Sequence, residues 1–146
     1  MPREDQSTTT EHPHADAERI YHQWDDALSR NDVEALLALY TPDAILESPL
    51  VPHLLKVERG ICHGRQELRR LFEILAQRKP NVRRFHRCAY FTDGRKLMWE
   101  YPRETPDGDQ MDFVEVMELK DGLIHKHRVY WGWYGVGVLN RDAYRH

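Results

Sequence analysis

Two glutamates, an arginine and a histidine carry the acid–base chemistry open to this sequence. Glu100 and Glu115 lie in β-rich runs on either side of Pro106-Asp107-Gly108-Asp109, and Arg128 lies in a third run after Lys120-Asp121-Gly122. An Asp-Gly pair between alternating apolar runs signals a two-residue hairpin turn. With both pairs as such turns, Glu100 stands opposite Glu115, Arg128 opposite Glu115, and Tyr130 opposite Phe113. One sheet face then carries Met98, Glu100, Phe113, Glu115, Met117, Arg128 and Tyr130. In a half-dry hollow, two such carboxylates share a proton or pair with the guanidinium, and groups perturbed in this way serve as acids and bases. On a solvent-facing sheet the same pattern is an ordinary cross-strand pair, worth about 0.2–1 kcal/mol. His86 joins the cluster opposite Glu100 if Thr92-Asp93-Gly94 makes a three-residue turn; with a two-residue turn it faces Tyr101 on the other side.

Other chemistry finds less support. His125 and His127 flank Lys126, which puts two imidazoles on one side of a strand, but no third and fourth ligand follow at a recognisable spacing, so no metal is expected. Gly135 and Gly137 do not lead from a strand into a helix as a dinucleotide fingerprint would, and no G-x-S-x-G motif occurs. No cofactor is expected.

The elements that position these residues follow from periodicity. Ile20, Trp24, Ala27 and Leu28 recur at helical spacing, giving an amphipathic helix from Ala15 to near Asn31. Asp32 caps a second, shorter helix through Tyr40, which Thr41-Pro42-Asp43 stops. Ala44 to Ser48 reads as a strand. The segment SPLVPHLLKVERGICHG is a loop too apolar to be idle, a flap packing over something. A third helix runs from Gly64 to about Arg78 through Leu68, Leu71, Phe72 and Leu75. From Val82 to about Trp133 the period is two, interrupted by three Asp-Gly pairs, which gives a four-stranded antiparallel meander. Helices followed by a meander make an α+β plan: a curved, cone-shaped antiparallel sheet packed on three N-terminal helices around a small-ligand hollow. The second sheet face, with Leu97, Trp99, Tyr101, Val114, Val116, His127, Val129 and Trp131, is too apolar to face water and reads as the interface of a homodimer. The tail GVGVLNRDAYRH reads as an arm toward a partner subunit.

At 146 residues the chain fits one domain over 15–146, after a polar, flexible tail over 1–14. Its 21 Lys+Arg against 24 Asp+Glu give a net charge of −3 with both signs scattered, which speaks against a nucleic-acid partner. Apolar runs fall short of the roughly 20 residues a membrane span requires, so no membrane partner is expected. The start of the chain lacks the apolar stretch of a secretory signal, and Cys62 and Cys88 make no disulfide framework; both point to the cytoplasm.

Three segments, YHQWDDALSRNDVEALLALYTPDAILESP, GICHGRQELRRLFEIL and LKDGLIHKHRVYW, together resemble the nuclear transport factor 2-like superfamily, in its SnoaL-like branch of polyketide cyclases and ketosteroid isomerases. The resemblance spans about residues 15–133. It implies the cone-shaped, cystatin-like α+β fold, in a superfamily that hosts isomerases, cyclases, dehydratases, epoxide hydrolases and non-catalytic binders. In the ketosteroid isomerase pattern the base position before Pro49 is Ser48, with Glu47 one step away. The helix tyrosine position is Trp24, whose indole donates but does not exchange a proton at neutral pH. The oxyanion-acid position is Glu115. The dehydratase histidine of the first meander strand falls on His86, with its helix aspartate near Ser29. The epoxide hydrolase arginine falls on Arg128, with Gly132 where an aspartate would follow.

The sequence thus leads to a small-molecule-binding protein for a hydrophobic, cyclic ligand. As a cofactor-independent cyclase, isomerase or dehydratase, it would use His86 or Glu47 as base, Glu115 as acid or oxyanion donor, and Arg128 to orient the substrate. Trp24, Tyr40, Glu100, Phe113 and Tyr130 would line the site. The rival reading is a non-catalytic ligand-binding or protein-interaction module of the same fold.

Overall fold

The computed structural model describes residues 14–78, 87, 89–104 and 110–141. Helix α1, Ala15–Ser29, buries Ala17, Ile20, Tyr21, Trp24 and Ala27, the three-and-four spacing expected of it. Asp16 and Glu18 in its first turn complement the helix dipole. Asn31, in the left-handed region at φ 55°, turns the chain, and Asp32 accepts from Ala35 N at 3.0 Å to cap α2, Val33–Leu37. This second helix ends short of Tyr40, which instead opens strand β1, Tyr40–Glu47. Pro42 pushes Thr41, the residue before it, out of the helical region and into extended backbone, so the helical pattern cannot continue past Tyr40.

The apolar segment expected as a loop contains helix α3, Leu50–Leu55, and strand β2, Ile61–His63. Val51, Leu54 and Leu55 are buried there, which accounts for its composition. Pro52 falls in the first turn of α3, where its missing N–H costs nothing. Helix α4, Gly64–Gln77, buries Leu68, Leu71 and Phe72.

Four strands follow, β3 (Phe91–Thr92), β4 (Lys96–Glu104), β5 (Gln110–Lys120) and β6 (Leu123–Trp131), and the C-terminal segment, expected as an arm, forms helix α5 (Trp133–Arg141). Thr92 pairs with Leu97, so four residues lie between the last paired residues of β3 and β4 rather than two or three, and the expected start of the first strand, 82–86, lies outside the described residues. The strands join one curved, unclosed sheet in the order β2-β1-β6-β5-β4-β3, antiparallel throughout except where β1 runs parallel to β6. Helices cover its concave side, so the α+β plan holds.

The strand register differs from expectation by one residue in both large hairpins. Between β4 and β5 the last pair is Glu104 with Gln110, so five residues rather than two separate the strands, and Trp99 stands opposite Glu115. Between β5 and β6 the two-residue turn does form, with Asp121 at φ 53° and Gly122 at φ 75°. An irregularity at Glu118/Leu119 then adds a residue on β6, so Met117 faces His127 and Glu115 faces Val129. A shift of one residue exchanges the two sheet faces. Leu97, Trp99, Tyr101, His127 and Trp131, expected at a subunit interface, therefore belong to the concave side, with Leu97 and Trp99 wholly buried. Glu100, Arg128 and Tyr130, expected beside Glu115, stand on the convex side with Met98 and Val116.

Candidate active site

Glu115 on β5 and His127 on β6 are charge-bearing side chains in an otherwise apolar interior, at 3 % and 2 % exposure. Their contact is direct, with His127 Nε2 2.6 Å from Glu115 Oε2. Tyr101 on β4 donates its hydroxyl to Glu115 Oε1 at 2.8 Å. Behind the imidazole, Tyr40 Oη lies 2.9 Å from His127 Nδ1 and accepts from Trp24 Nε1 at 3.1 Å. Five side chains from four strands and a helix thus form one continuous buried chain. The parallel pairing of β1 with β6 delivers Tyr40, and α1 delivers Trp24.

The proton positions along this chain follow from the donor inventory. An indole nitrogen only donates, so Tyr40 Oη is an acceptor toward Trp24 and has its own proton left for His127 Nδ1. Nδ1 therefore carries no hydrogen in the neutral ring, and the imidazole proton sits on Nε2, aimed at Glu115. Burial pushes the Tyr40 phenol well above its ordinary range, so the hydroxyl keeps its proton. Ring contacts hold the imidazole in place: Trp24 meets it edge-on at 5.8 Å and Tyr40 stacks at 6.1 Å.

The chain forms part of the wall of a cavity of about 70 Å³ between the concave sheet face, α1 and α4. At about 10–15 Å³ for each water, that space takes roughly five waters. Tyr101, Glu115, His127 and Ser48 supply its polar atoms. Trp24, Phe72, Phe113 and Trp131 supply aromatic walls, and Leu46 and Leu71 aliphatic ones. Leu50 of α3 also lines the cavity, so the segment expected as a flap does pack over the hollow. Trp131 Nε1 is buried without a hydrogen-bond partner among the described residues, as is Trp99 Nε1 in the core.

Of the residues singled out from sequence, Trp24, Phe113 and Glu115 line this cavity, and Tyr40 sits directly behind His127. Glu47 is exposed at the end of β1, in register with Arg128. Arg128 pairs with Glu118 at 2.8 Å on the convex side, where Tyr130 is 55 % exposed and Glu100 is also exposed. His86 and Cys88 lie outside the described residues. Near Ser29, the position of the dehydratase aspartate, the acidic side chains of α1 turn elsewhere: Asp25 pairs with Arg87 at 3.2 Å and Asp26 with Arg30 at 2.7 Å, and neither lines the cavity. His125 occupies the irregular position of β6 and contacts Thr41 Oγ1 at 3.2 Å. Among the described residues no three His, Cys, Asp or Glu side chains are grouped to hold a metal ion. Among them, too, no helix is long and apolar enough to cross a membrane.

His127 and Tyr101 were missed in their site roles because the one-residue shift assigned both to the wrong face. The signal that would have found them is the crowding of Trp99, Tyr101, Val129 and Trp131 on their side of the strands, an aromatic density that suits a core better than a surface.

Comparison with known proteins agrees with this geometry. The chain is similar to a SnoaL-like protein of unknown function from Burkholderia thailandensis, at 18 % identity and a TM-score of 0.69 over 81 % of this chain and 95 % of that one. It is similar to TerC, crystallised with polyporic acid, at 15 % identity and a TM-score of 0.69 over 86 % and 98 % of the two chains. A Kribbella flavida protein assigned to the ketosteroid isomerases follows at 18 % identity and 0.65, over 82 % and 79 %. At such identities the likeness is one of fold. No curated protein matches the chain. The sequence profile of the SnoaL-like domain matches residues 21–127, a stretch that includes Trp24, Tyr40, Tyr101, Glu115 and His127. The chain belongs to the SnoaL-like domain family.

Proposed function

We propose that the cone binds a small hydrophobic, cyclic molecule and performs cofactor-independent acid–base chemistry on it, with Glu115 as the general base. The observation that carries this reading is the buried Glu115–His127 pair in the wall of an apolar cavity, with three further hydroxyl and indole groups ordering its protons. Tyr101 and the imidazole N–H hold the two carboxylate oxygens in place, and Glu115, once it has taken the substrate proton, can return that proton to another atom of the same substrate. Isomerisation, cyclisation and dehydration all begin with such a proton abstraction. The family match supports a small-molecule ligand, and the aromatic walls of the cavity support a ring.

The homodimer expected from the sequence transfers to the convex face, where Met98 and Tyr130 are exposed beside Val116, and light scattering of the wild-type chain reads it. A free, buried Cys62 fits the proposed cytoplasmic location.

A generic test of the base is the elimination of 5-nitrobenzisoxazole, a neutral apolar bicycle. The base takes the ring C–H proton, the N–O bond breaks, and coloured 2-cyano-4-nitrophenolate forms. The wild-type protein should show saturable turnover that indane inhibits competitively. Glu115→Gln, folded by circular dichroism, should lose on the order of 100-fold in rate, within the usual span for general-base catalysis. Saturable binding with no turnover in the wild type would instead leave a ligand-binding module of the same fold.

A further inference from the structure

The order of protons along the buried chain also fixes the polarity of what the cavity can hold, an inference that rests on the proposal that the cone is the ligand site. Each hydrogen in the chain points the same way. Trp24 donates to Tyr40, Tyr40 to His127, and His127 and Tyr101 both to Glu115. The sequence of bonds must run in this direction. Were the imidazole to donate through Nδ1, Tyr40 Oη would receive two N–H groups, and its own proton would have no acceptor among the described contacts, in a side chain with no exposure at all.

The chain therefore terminates on a group that only accepts. A carboxylate offers about four lone-pair sites, and the described contacts occupy two of them. Among the described residues that line the cavity, none is lysine or arginine. The remaining lining donors are neutral: the hydroxyl of Ser48, whose oxygen already accepts from Leu50 N at 3.2 Å, and the unpartnered indole N–H of Trp131. The same cavity is lined by Trp24, Tyr101, Phe113 and Trp131, and the electron-rich faces of such rings attract cations. An anion entering here would add a second negative charge to an apolar space, whereas a cation would cancel the first.

We propose that the ligand of this cavity docks a hydrogen-bond donor against Glu115, best a protonated amine carried on an apolar ring, and that anionic ligands are excluded. The carboxylate holds the donor, the aromatic walls hold the ring, and Ser48 and Trp131 meet a neutral acceptor elsewhere on the same molecule.

Four probes of nearly the same shape test this on the full wild-type chain by isothermal titration at neutral pH. They are 2-aminoindane, a cation; 2-indanol, a neutral donor; 2-indanone, a neutral acceptor; and indane-2-carboxylate, an anion. The expected order of affinity is amine, alcohol, ketone, with the amine at least tenfold tighter than the ketone and the carboxylate showing no measurable binding. Glu115→Gln should bring the amine-to-ketone ratio down to near one. The wild-type order decides the matter even where that variant fails to fold. Binding of the ketone or the carboxylate as tight as that of the amine overturns the donor assignment while leaving the cone as a ligand site. No binding of any probe, unsubstituted indane included, overturns the assignment together with the ligand site itself.

Discussion

Replacing Tyr40 by phenylalanine removes a single oxygen from the middle of the buried chain and leaves the ring in place. The ring contact with Phe72 at 5.6 Å survives, so the change isolates the hydroxyl. That hydroxyl makes two bonds, at 3.1 Å to Trp24 Nε1 and 2.9 Å to His127 Nδ1, inside a fully buried side chain. Its loss leaves an indole N–H and an imidazole nitrogen without these partners and without water. Each such orphan costs about 1–3 kcal/mol, so Tyr40→Phe should destabilise the fold by about 2–6 kcal/mol. For a domain of this size that corresponds to a fall in Tm of roughly 5–15 °C. Urea unfolding measures the first quantity, and nitrogen-15 chemical shifts of the His127 ring report which nitrogen carries the proton. In a Trp24→Phe background the same substitution should cost less, by on the order of 1 kcal/mol, because one of the two orphans no longer exists. A loss below about 0.5 kcal/mol, or a wild-type ring protonated on Nδ1 alone, would refute the ordered chain and, with it, the role of Glu115 as terminal acceptor.

Two further outcomes follow from the convex face and the β5–β6 turn. The Arg128 guanidinium bonded to Glu118 holds that carboxyl below its ordinary value of 4.5. A folded pKa below the unfolded one means that the stabilisation is present above about pH 4.5 and drains away as the pH falls through the lower folded value. With the carboxylate side chain 37 % exposed, solvent screens the pair, so the gain stays under about 1 kcal/mol. Glu118→Gln should flatten the acid limb of a stability–pH curve below pH 4.5 and leave little change at high salt, and superimposable curves at low salt would contradict this account. Gly122→Ala places a side chain in the left-handed region at φ 75°, with its Cβ 3.4 Å from Arg19 Nη2 and Asp16 Oδ1. A cost of about 1–2 kcal/mol in chemical denaturation is expected, and a neutral result would remove the need for glycine at that turn.

Local features carried most of the fold into view from the residues alone. The spacing of Ile20, Trp24 and Ala27, the cap at Asp32, the apolar side of α4 and the Asp121-Gly122 turn are each settled within a few residues of chain, and each formed as its local chemistry dictates. Tyr40 shows where local reading stops: apolar and next to Leu39, it extends a helical pattern, yet Pro42 and the waiting edge of β6 draw it into a strand. Leu50, Val51, Leu54 and Leu55 announced burial without revealing that six residues would suffice for a helix over the hollow.

The sequence by itself determined α1, α2, α4 and the meander strands β4 to β6, the family, and the presence of acidic, imidazole and aromatic groups in the meander. Tertiary structure alone decided which of those groups meet. Side chains alternate along a strand with a period of two, so a connection of five residues rather than two between β4 and β5, and one extra residue at the β6 irregularity, turn β4 and β6 over relative to β5. Burial favours the exchanged faces: they turn Trp99, Tyr101, Phe113 and Trp131 inward together. The hydrophobic gain of the aromatic side over the charged one thus sets the register, and the register brings Glu115 to His127 while carrying Glu100 and Arg128 away from them.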